Sequence, residues 1–536
     1  MSTKLNYKRT IFVGFAFFLI IAFWQAYDNI IPKILTDKFG LPQAASGAIM
    51  AVDNILALFL LPLFGAISDR SRSRYGRRTP FIFIGTVVAV ALLVLLSIPD
   101  SAQLKNLEKI DATEGAAYTE ALETLWDANP NIRVEGESTD NKSFGEIVAS
   151  INPFGGDTKK PLQSLISHER FLAITVENAA GETNPDYTAY VVPARQAYAA
   201  SVTAAHPGAL VAFMVILFLA LIAMGVFRSP AVALMPDVTV KPLRSKGNAV
   251  INLMGSIGGV VVLLVGTVLG TGKITNALMP YTGFFVIVAI LMLAALAAFL
   301  LTVREPKWAA EMEQESARLG IDNAAVEENK GDRRLTRGER ASLLLILFSV
   351  VFWYMGYNAV ASKYSVYASS VLNIDYNTTL LIANAAAIVA YIPVGFLTSR
   401  FGRKKMVLAG VLILGASFVA ASFMRVGSPV WLMNLLFTMA GIGWATINVN
   451  SYPMVVELAR GGDVGKYTGY YYTASMAAQV VTPVLSGVFM DIRFTTLFPY
   501  AAIFVALSFL TMLFVRHGDS TPTAGETIAD GIGGGD

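Results

Sequence analysis

The sequence predicts an all-α transmembrane fold of twelve helices in two repeats of six. A small extracytoplasmic α/β insertion is expected between helices 3 and 4. Three observations predict this. The 536-residue chain is 54% hydrophobic and 15% charged, whereas a soluble domain carries about a quarter charged residues. Nearly charge-free runs of about 20 residues, enough to cross ~30 Å of hydrocarbon, recur along it. The basic stretch Asp69-Arg70-Ser71-Arg72-Ser73-Arg74-Tyr75-Gly76-Arg77-Arg78, set between apolar runs, returns in shorter form as Ser399-Arg400-Phe401-Gly402-Arg403-Lys404-Lys405.

The apolar runs place spans at 10–33, 43–68, 79–99, 208–236, 247–271, 280–303, 341–368, 376–398, 404–424, 429–453, 466–490 and 495–516. The first run is long enough to span, and no small-residue cleavage site follows it. The basic loops then fall on one side: Lys4 to Arg9, Arg70 to Arg78, Lys241 to Lys246, Arg304 to Arg340, Arg400 to Lys405, Arg460 to Lys466, and Arg516. Positive charge marks the cytoplasmic side, so both termini are expected inside, in a cell inner (cytoplasmic) membrane.

The domains expected are therefore 1–99 (helices 1–3), 100–207 (insertion), 208–303 (helices 4–6), 304–340 (cytoplasmic linker), 341–516 (helices 7–12) and 517–536 (tail). Residues 100–207 hold 16 Asp/Glu against 8 Lys/Arg and no spanning run. Apolar positions such as Leu122, Trp126, Phe171 and Val191 suffice for a small α/β unit, a cap or docking surface on the outer face. The linker carries an amphipathic pattern near Trp308–Leu319. The tail is rich in Gly, Asp and Thr and is expected to be disordered.

The repeat fixes where the insertion entered. Trp24 aligns with Trp353, Asn29 with Asn358, Asn54 with Asn384, Gly65 with Gly395 and Arg70 with Arg400, an offset of 329–330. Past the third span, Asp237 aligns with Glu457, Lys246 with Lys466 and Val260 with Val480, an offset of 220. The offset falls by about the length of 100–207. Six plus six spans in parallel repeat is the major facilitator architecture.

The run Pro62 to Arg70, then Arg74-Tyr75-Gly76-Arg77-Arg78-Thr79-Pro80-Phe81, resembles the sucrose-transporter-like branch of the major facilitator superfamily, beside the glycoside–pentoside–hexuronide:cation symporters. Arg228-Ser229-Pro230 through Asp237, then Arg244, Ser245 and Asn248, resembles the span 4–5 signature of that branch. The resemblance implies secondary transport of a sugar or glycoside. Melibiose-type members carry an acidic pair where this chain has Ala57 and Leu61, which disfavours a sodium site.

Ionisable groups inside spans cost about 2.5–3.5 kcal/mol at the centre and are functional by default. Asp28 and Asp53 lie about 12 residues either side of the turn at Gly40-Leu41, hence at one depth, and are the proton-coupling candidates. The structural alternative is a hydrogen bond from Asn358 to Asp28. Arg228 is expected either to pair with a membrane carboxylate or bind a substrate hydroxyl or anion, or else to pair with Asp237 or snorkel inward. Lys363 is expected to snorkel to the interface. Sugars offer hydroxyl edges to amides and phenols, and apolar faces to rings. The substrate candidates are therefore Trp24, Tyr27, Asn29, Arg228, Trp353, Tyr357, Asn358, Asn448, Asn450, Tyr471 and Gln479, with Trp444 close by. Interhelical packing is the plainer role for each aromatic.

Gating candidates at the cytoplasmic helix ends are Asp69, Arg70, Arg77, Arg78, Asp237, Arg400, Arg403 and Glu457. Carboxylates there are expected to meet a basic loop of the other half and latch the inward mouth; the plainer role of the arginines is to enforce topology.

No phosphate loop, nucleophile motif or Cys/His metal set is present, and cysteine is absent, so neither an enzyme nor a cofactor is expected. The partners expected are a small molecule, a sugar by the chemistry above; a proton rather than sodium; the lipid bilayer; and an external partner for 100–207. Nucleic acid is not among them. Two other functions fit the fold: an exporter or antiporter of amphipathic compounds, and a non-transporting membrane sensor.

Overall fold

A computed structural model describes residues 5–135, 159–178, 183–240, 243–318, 336–458 and 464–518. It is nearly all helical. Eleven described helices are long and apolar enough to cross a membrane, and α14 (Tyr376–Phe401) is a twelfth long helix. The protein is a multi-pass membrane protein.

The first half comprises α1 (Tyr7–Lys33), α2 (Gln43–Arg70), α3 (Thr79–Leu95), α9 (Gly208–Val238), α10 (Arg244–Leu269) and α11 (Thr282–Thr302). The second comprises α13 (Arg337–Tyr367), α14, α15 (Arg403–Ala421), α16 (Val430–Glu457), α17 (Val464–Ile492) and α18 (Leu497–Leu513). Each half buries its own apolar core, one running from Val13 to Trp308 and the other from Leu343 to Val515. Pairing is duplicated. α3 packs on α9 as α15 packs on α16, and α1 on α10 as α13 on α17. Across the halves α2 meets α17 and α10 meets α14, which are equivalent pairs under the repeat.

The third span runs past the edge expected at residue 99. The apolar helical stretch continues through α4 (Ser97–Asn106), because Leu96 keeps helical dihedrals and joins it to α3. Beyond it lie α5 (Gly115–Ala128), strands β1 (Arg133–Glu135) and β2 (Lys159–Pro161), α6 (Leu162–Leu165), α7 (His168–Leu172) and α8 (Val192–Ala205). The two strands form an antiparallel ribbon, Val134 opposite Lys160. Leu107, Leu122, Phe171, Tyr187 and Val191 make a third apolar cluster, joined by Ile274 and Leu278 from the loop between α10 and α11. The described part of the insertion is thus mostly helical, with a single two-stranded ribbon.

Bonds across the halves gather at the end that carries the insertion. Lys33 Nζ donates to Ser369 Oγ at 3.0 Å, and Asn377 Nδ2 to Thr271 Oγ1 at 3.0 Å. Backbones touch there too. A Cβ on Gly47 of α2 would lie 1.9 Å from the Pro483 carbonyl oxygen of α17, so only glycine fits that crossing. The linker helix α12 (Glu305–Arg318) lies at the opposite end, Trp308 buried against the first half.

Candidate functional site

Three ionisable groups sit on spans of the first half. Asp28 on α1, Asp53 on α2 and Arg228 on α9 stand within electrostatic reach of one another. The hairpin of α1 and α2 brings the two carboxylates together, as the distance of each from its turn requires. Arg228 Cζ lies 5.2 Å from the centre of the Trp24 ring, a cation–π geometry. Trp24 also packs edge-on against Tyr27 at 5.3 Å. Asp53 Oδ1 accepts from Asn54 Nδ2 at 2.7 Å.

Two expected alternatives do not form. Asn358 Nδ2 is buried without a hydrogen-bond partner, so it does not bond Asp28. Asp237 pairs with Arg78 and not with Arg228, because Arg78 reaches it from the adjoining loop. Asn29 is buried and bonds its own helix, donating from Nδ2 to Gln25 O at 2.7 Å.

The facing side of the second half is aromatic. Tyr357 and Trp444 stack in parallel, with ring centroids 3.6 Å apart and planes 3° from parallel. Tyr354, one helical turn earlier, meets Trp444 edge-on at 5.3 Å. α1 packs on α13 across the halves, and Tyr357 is within electrostatic reach of Asp28. Tyr471 shares a 2.9 Å hydrogen bond with Ser451. Trp353, by contrast, is fully buried in the core of its half, with no partner on Nε1. Asn450 is buried, donating to Thr446 O at 2.8 Å, while its Oδ1 has no partner. Asn448 and Gln479 are half-buried. Tyr354 and Ser451 escaped the sequence reasoning. The spacing of Tyr354 to Tyr357 puts both on one helix face, a signal that could have found it.

The basic loop closes on its own half. Arg78 is 4% exposed and donates from Nε to Asp237 at 2.8 Å. It also pairs with Asp69, and Arg77 stands 3.9 Å from Asp237. Burial alone would lower the Arg78 pKa, but the bonds to Asp237 and Asp69 outweigh it and hold the guanidinium above its ordinary value. None of these pairs reaches the opposite half. Their partners come from α2 and α9. Arg70 and Arg400 are exposed, Arg400 lying over Phe401, and Arg403 is half-buried. The Glu457 side chain and Arg460 lie outside the described residues.

Glu305, first residue of α12, escaped the sequence reasoning as well. Its carboxylate accepts the backbone N–H of Arg78 at 2.9 Å and of Thr79 at 2.8 Å, and the Thr79 hydroxyl at 2.8 Å. It caps α3 from the linker. Gly76, at φ +113°, gives it room, since a Cβ there would lie 2.2 Å from Glu305 Oε2.

Lys363 does not snorkel. It is fully buried and donates to the Gln43 carbonyl at 2.6 Å. Nearby, Lys38 pairs with Asp100, which also accepts Tyr281 N–H at 3.2 Å.

A twelve-helix scaffold with its charged and aromatic groups at the seam between two equivalent halves is the architecture of a major facilitator protein. The family described as "MFS_1 like family" matches residues 6–499, and the chain belongs to it. The inward open xylose transporter XylE from E. coli is similar in fold, with a TM-score of 0.54 at 14% identity over 98% of each chain. The "Putative glycoside/cation symporter YagG" of Escherichia coli is 33% identical over 84 residues, 15% of this chain and 18% of that one. "Sucrose transport protein SUC4" of Arabidopsis thaliana is 39% identical over 59 residues, 11% of this chain and 12% of that one. The chain thus matches less than a fifth of the length of these curated relatives. The family and its structural neighbours are transporters, not enzymes.

Proposed function

We propose that the protein is a secondary active transporter that carries a sugar or glycoside, a di- or oligosaccharide, together with a proton. The observation that carries this is the meeting of Asp28, Asp53 and Arg228 beside Trp24, across from the Tyr357–Trp444 stack. Rings take the apolar faces of a pyranose, and Arg228 and the amides take its hydroxyls. Asn358 Nδ2 and Asn450 Oδ1, both without partners, are free for such bonds.

Charge balance supports proton coupling. One arginine offsets one carboxylate, which leaves a surplus negative charge in a low-dielectric site. A proton on the second carboxylate neutralises the group, and a neutral group reorients more readily between the two sides. The names of the relatives, a glycoside/cation symporter and a sucrose transport protein, agree with this reading.

The orientation proposed puts the basic loops and both termini in the cytoplasm of an inner-membrane protein, and residues 100–207 outside. The bonded seam then lies on the outer side, and the protein faces inward. Asp69, Arg77, Arg78 and Asp237 act as a cytoplasmic gating cluster through the conformational equilibrium, with Arg70, Arg400, Arg403 and Glu457 beside it. The test is uptake of a panel of labelled disaccharides into proteoliposomes, with and without an imposed pH gradient. Accumulation of at least one sugar, dependent on the gradient, is expected. Uptake of none, or uptake driven only by sodium, would overturn the proposal.

A further inference from the structure

We infer that Asp491, at the end of α17, is the gate residue of the mouth that carries the insertion, and that Lys159 of the insertion holds this gate shut. The helix that Asp491 meets is α2 of the other half. α2 begins after Pro42, which offers no side-chain cap. Its first backbone donors would go unpaired in a buried seam. Asp491 supplies the missing cap across the interface. Its Oδ1 accepts Gln43 N–H at 2.6 Å and its Oδ2 accepts Ala44 N–H at 2.8 Å. A carboxylate at a helix N-terminus is favoured by the dipole as well as by the two bonds.

The same residue is braced from two sides. Lys363 of α13 donates to the Gln43 carbonyl, so both polar ends of the Gln43 backbone are bonded to the second half. The crossing is too tight for any Cβ: one on Gly487 would lie 2.4 Å from Gln43 O. From the insertion, Lys159 Nζ on β2 donates to the Asp491 backbone carbonyl. The insertion is rooted on the first half. Gln196 Nε2 donates to Asp37 Oδ1 at 3.1 Å, and Gln103 Nε2 to Lys38 O at 2.8 Å. Lys159 therefore ties a body fixed to the first half onto the end of α17 in the second. When the mouth opens, α2 and α17 must part at this end. The α2 cap and the Lys159 contact must break together.

The place of this gate in a transport cycle rests on the function proposed above, but its test does not. The chain has no cysteine, so Ser369→Cys gives a single reporter. Ser369 is 2% exposed and accepts a bond from Lys33 of the other half, so it becomes reachable when the seam opens. The rate of its modification by a polar maleimide is measured on the full chain in nanodiscs, alone and combined with Asp491→Asn or Lys159→Ala. Asp491→Asn loses one of its two bonds, because the amide NH2 cannot accept, and the charge behind the other, so modification is expected to speed about tenfold; loss of one contact in Lys159→Ala is expected to speed it about threefold. An unchanged rate in folded Asp491→Asn would overturn the gate. An unchanged rate in Lys159→Ala would overturn the role of the insertion, and this variant serves if the other does not fold. Faster labelling in a protein that carries none of the sugars tested would leave the gate standing and remove the sugar reading.

Discussion

Arg228 determines what its two acidic neighbours can do. On the proposed proton coupling, the one fixed positive charge lets Asp28 and Asp53 share a single negative charge, and the second charge is the one a proton would relieve. Asp53→Asn mimics the protonated state permanently. It is expected to abolish uphill accumulation while preserving exchange of sugar down its gradient, which counterflow in proteoliposomes measures. The Tyr357–Trp444 stack makes a separate prediction. Trp444→Ala removes an aromatic face worth about 1 kcal/mol, so sugar affinity should fall about fivefold with coupling intact, read by binding titration. Asp28, Asp53 and Arg228 are each legible in the sequence because a carboxylate or guanidinium in an apolar run stands out; that Arg228 lies beside the two aspartates is not. The stack itself was not, since Tyr357 and Trp444 are 87 positions apart in the numbering and only the packing of α13 on α16 joins them. Trp353 shows the opposite failure. Its alignment with Trp24 marks it as a substrate candidate, yet the helix turns it into the core.

At the scale of elements, the basic loop depends on a helix it does not adjoin. α3 starts with no side-chain cap of its own, and Glu305 of α12 supplies one from the linker. Glu305→Ala should cost about 1–2 kcal/mol, seen as a fall of a few degrees in the apparent melting temperature in detergent. Because Glu305 also positions the backbone of Arg78, transport should slow while outer-side sugar binding is kept. A Glu305→Gln variant, which keeps acceptor oxygen but not charge, should recover part of the loss. Spans and basic loops were readable from hydropathy and charge. The choice of partners was not. Arg78 could satisfy charge complementarity with carboxylates of either half, and only the fold, which sets Asp237 of α9 beside it, decides for the first half.

For the whole molecule, the change in repeat offset places the insertion between the third and fourth spans, and the structure shows how it is attached. Its roots, α4 and α8, bond to the turn after α1, and Gly40 there sits against Ala200. A deletion that removes the roots would strip those bonds. Removing residues 108–191 and joining the roots through a short Gly/Ser linker should leave a monodisperse protein in detergent with a residual transport rate. Aggregation of that variant on size-exclusion chromatography would show that the head is integral to the fold. The most direct test of proton-coupled sugar transport is the pH of the medium itself. Adding a transported disaccharide to de-energised proteoliposomes should alkalinise the outside as protons enter with the sugar, and Asp53→Asn should abolish the signal. Sugar entry with no pH change, or with a pH change that Asp53→Asn leaves intact, would contradict it.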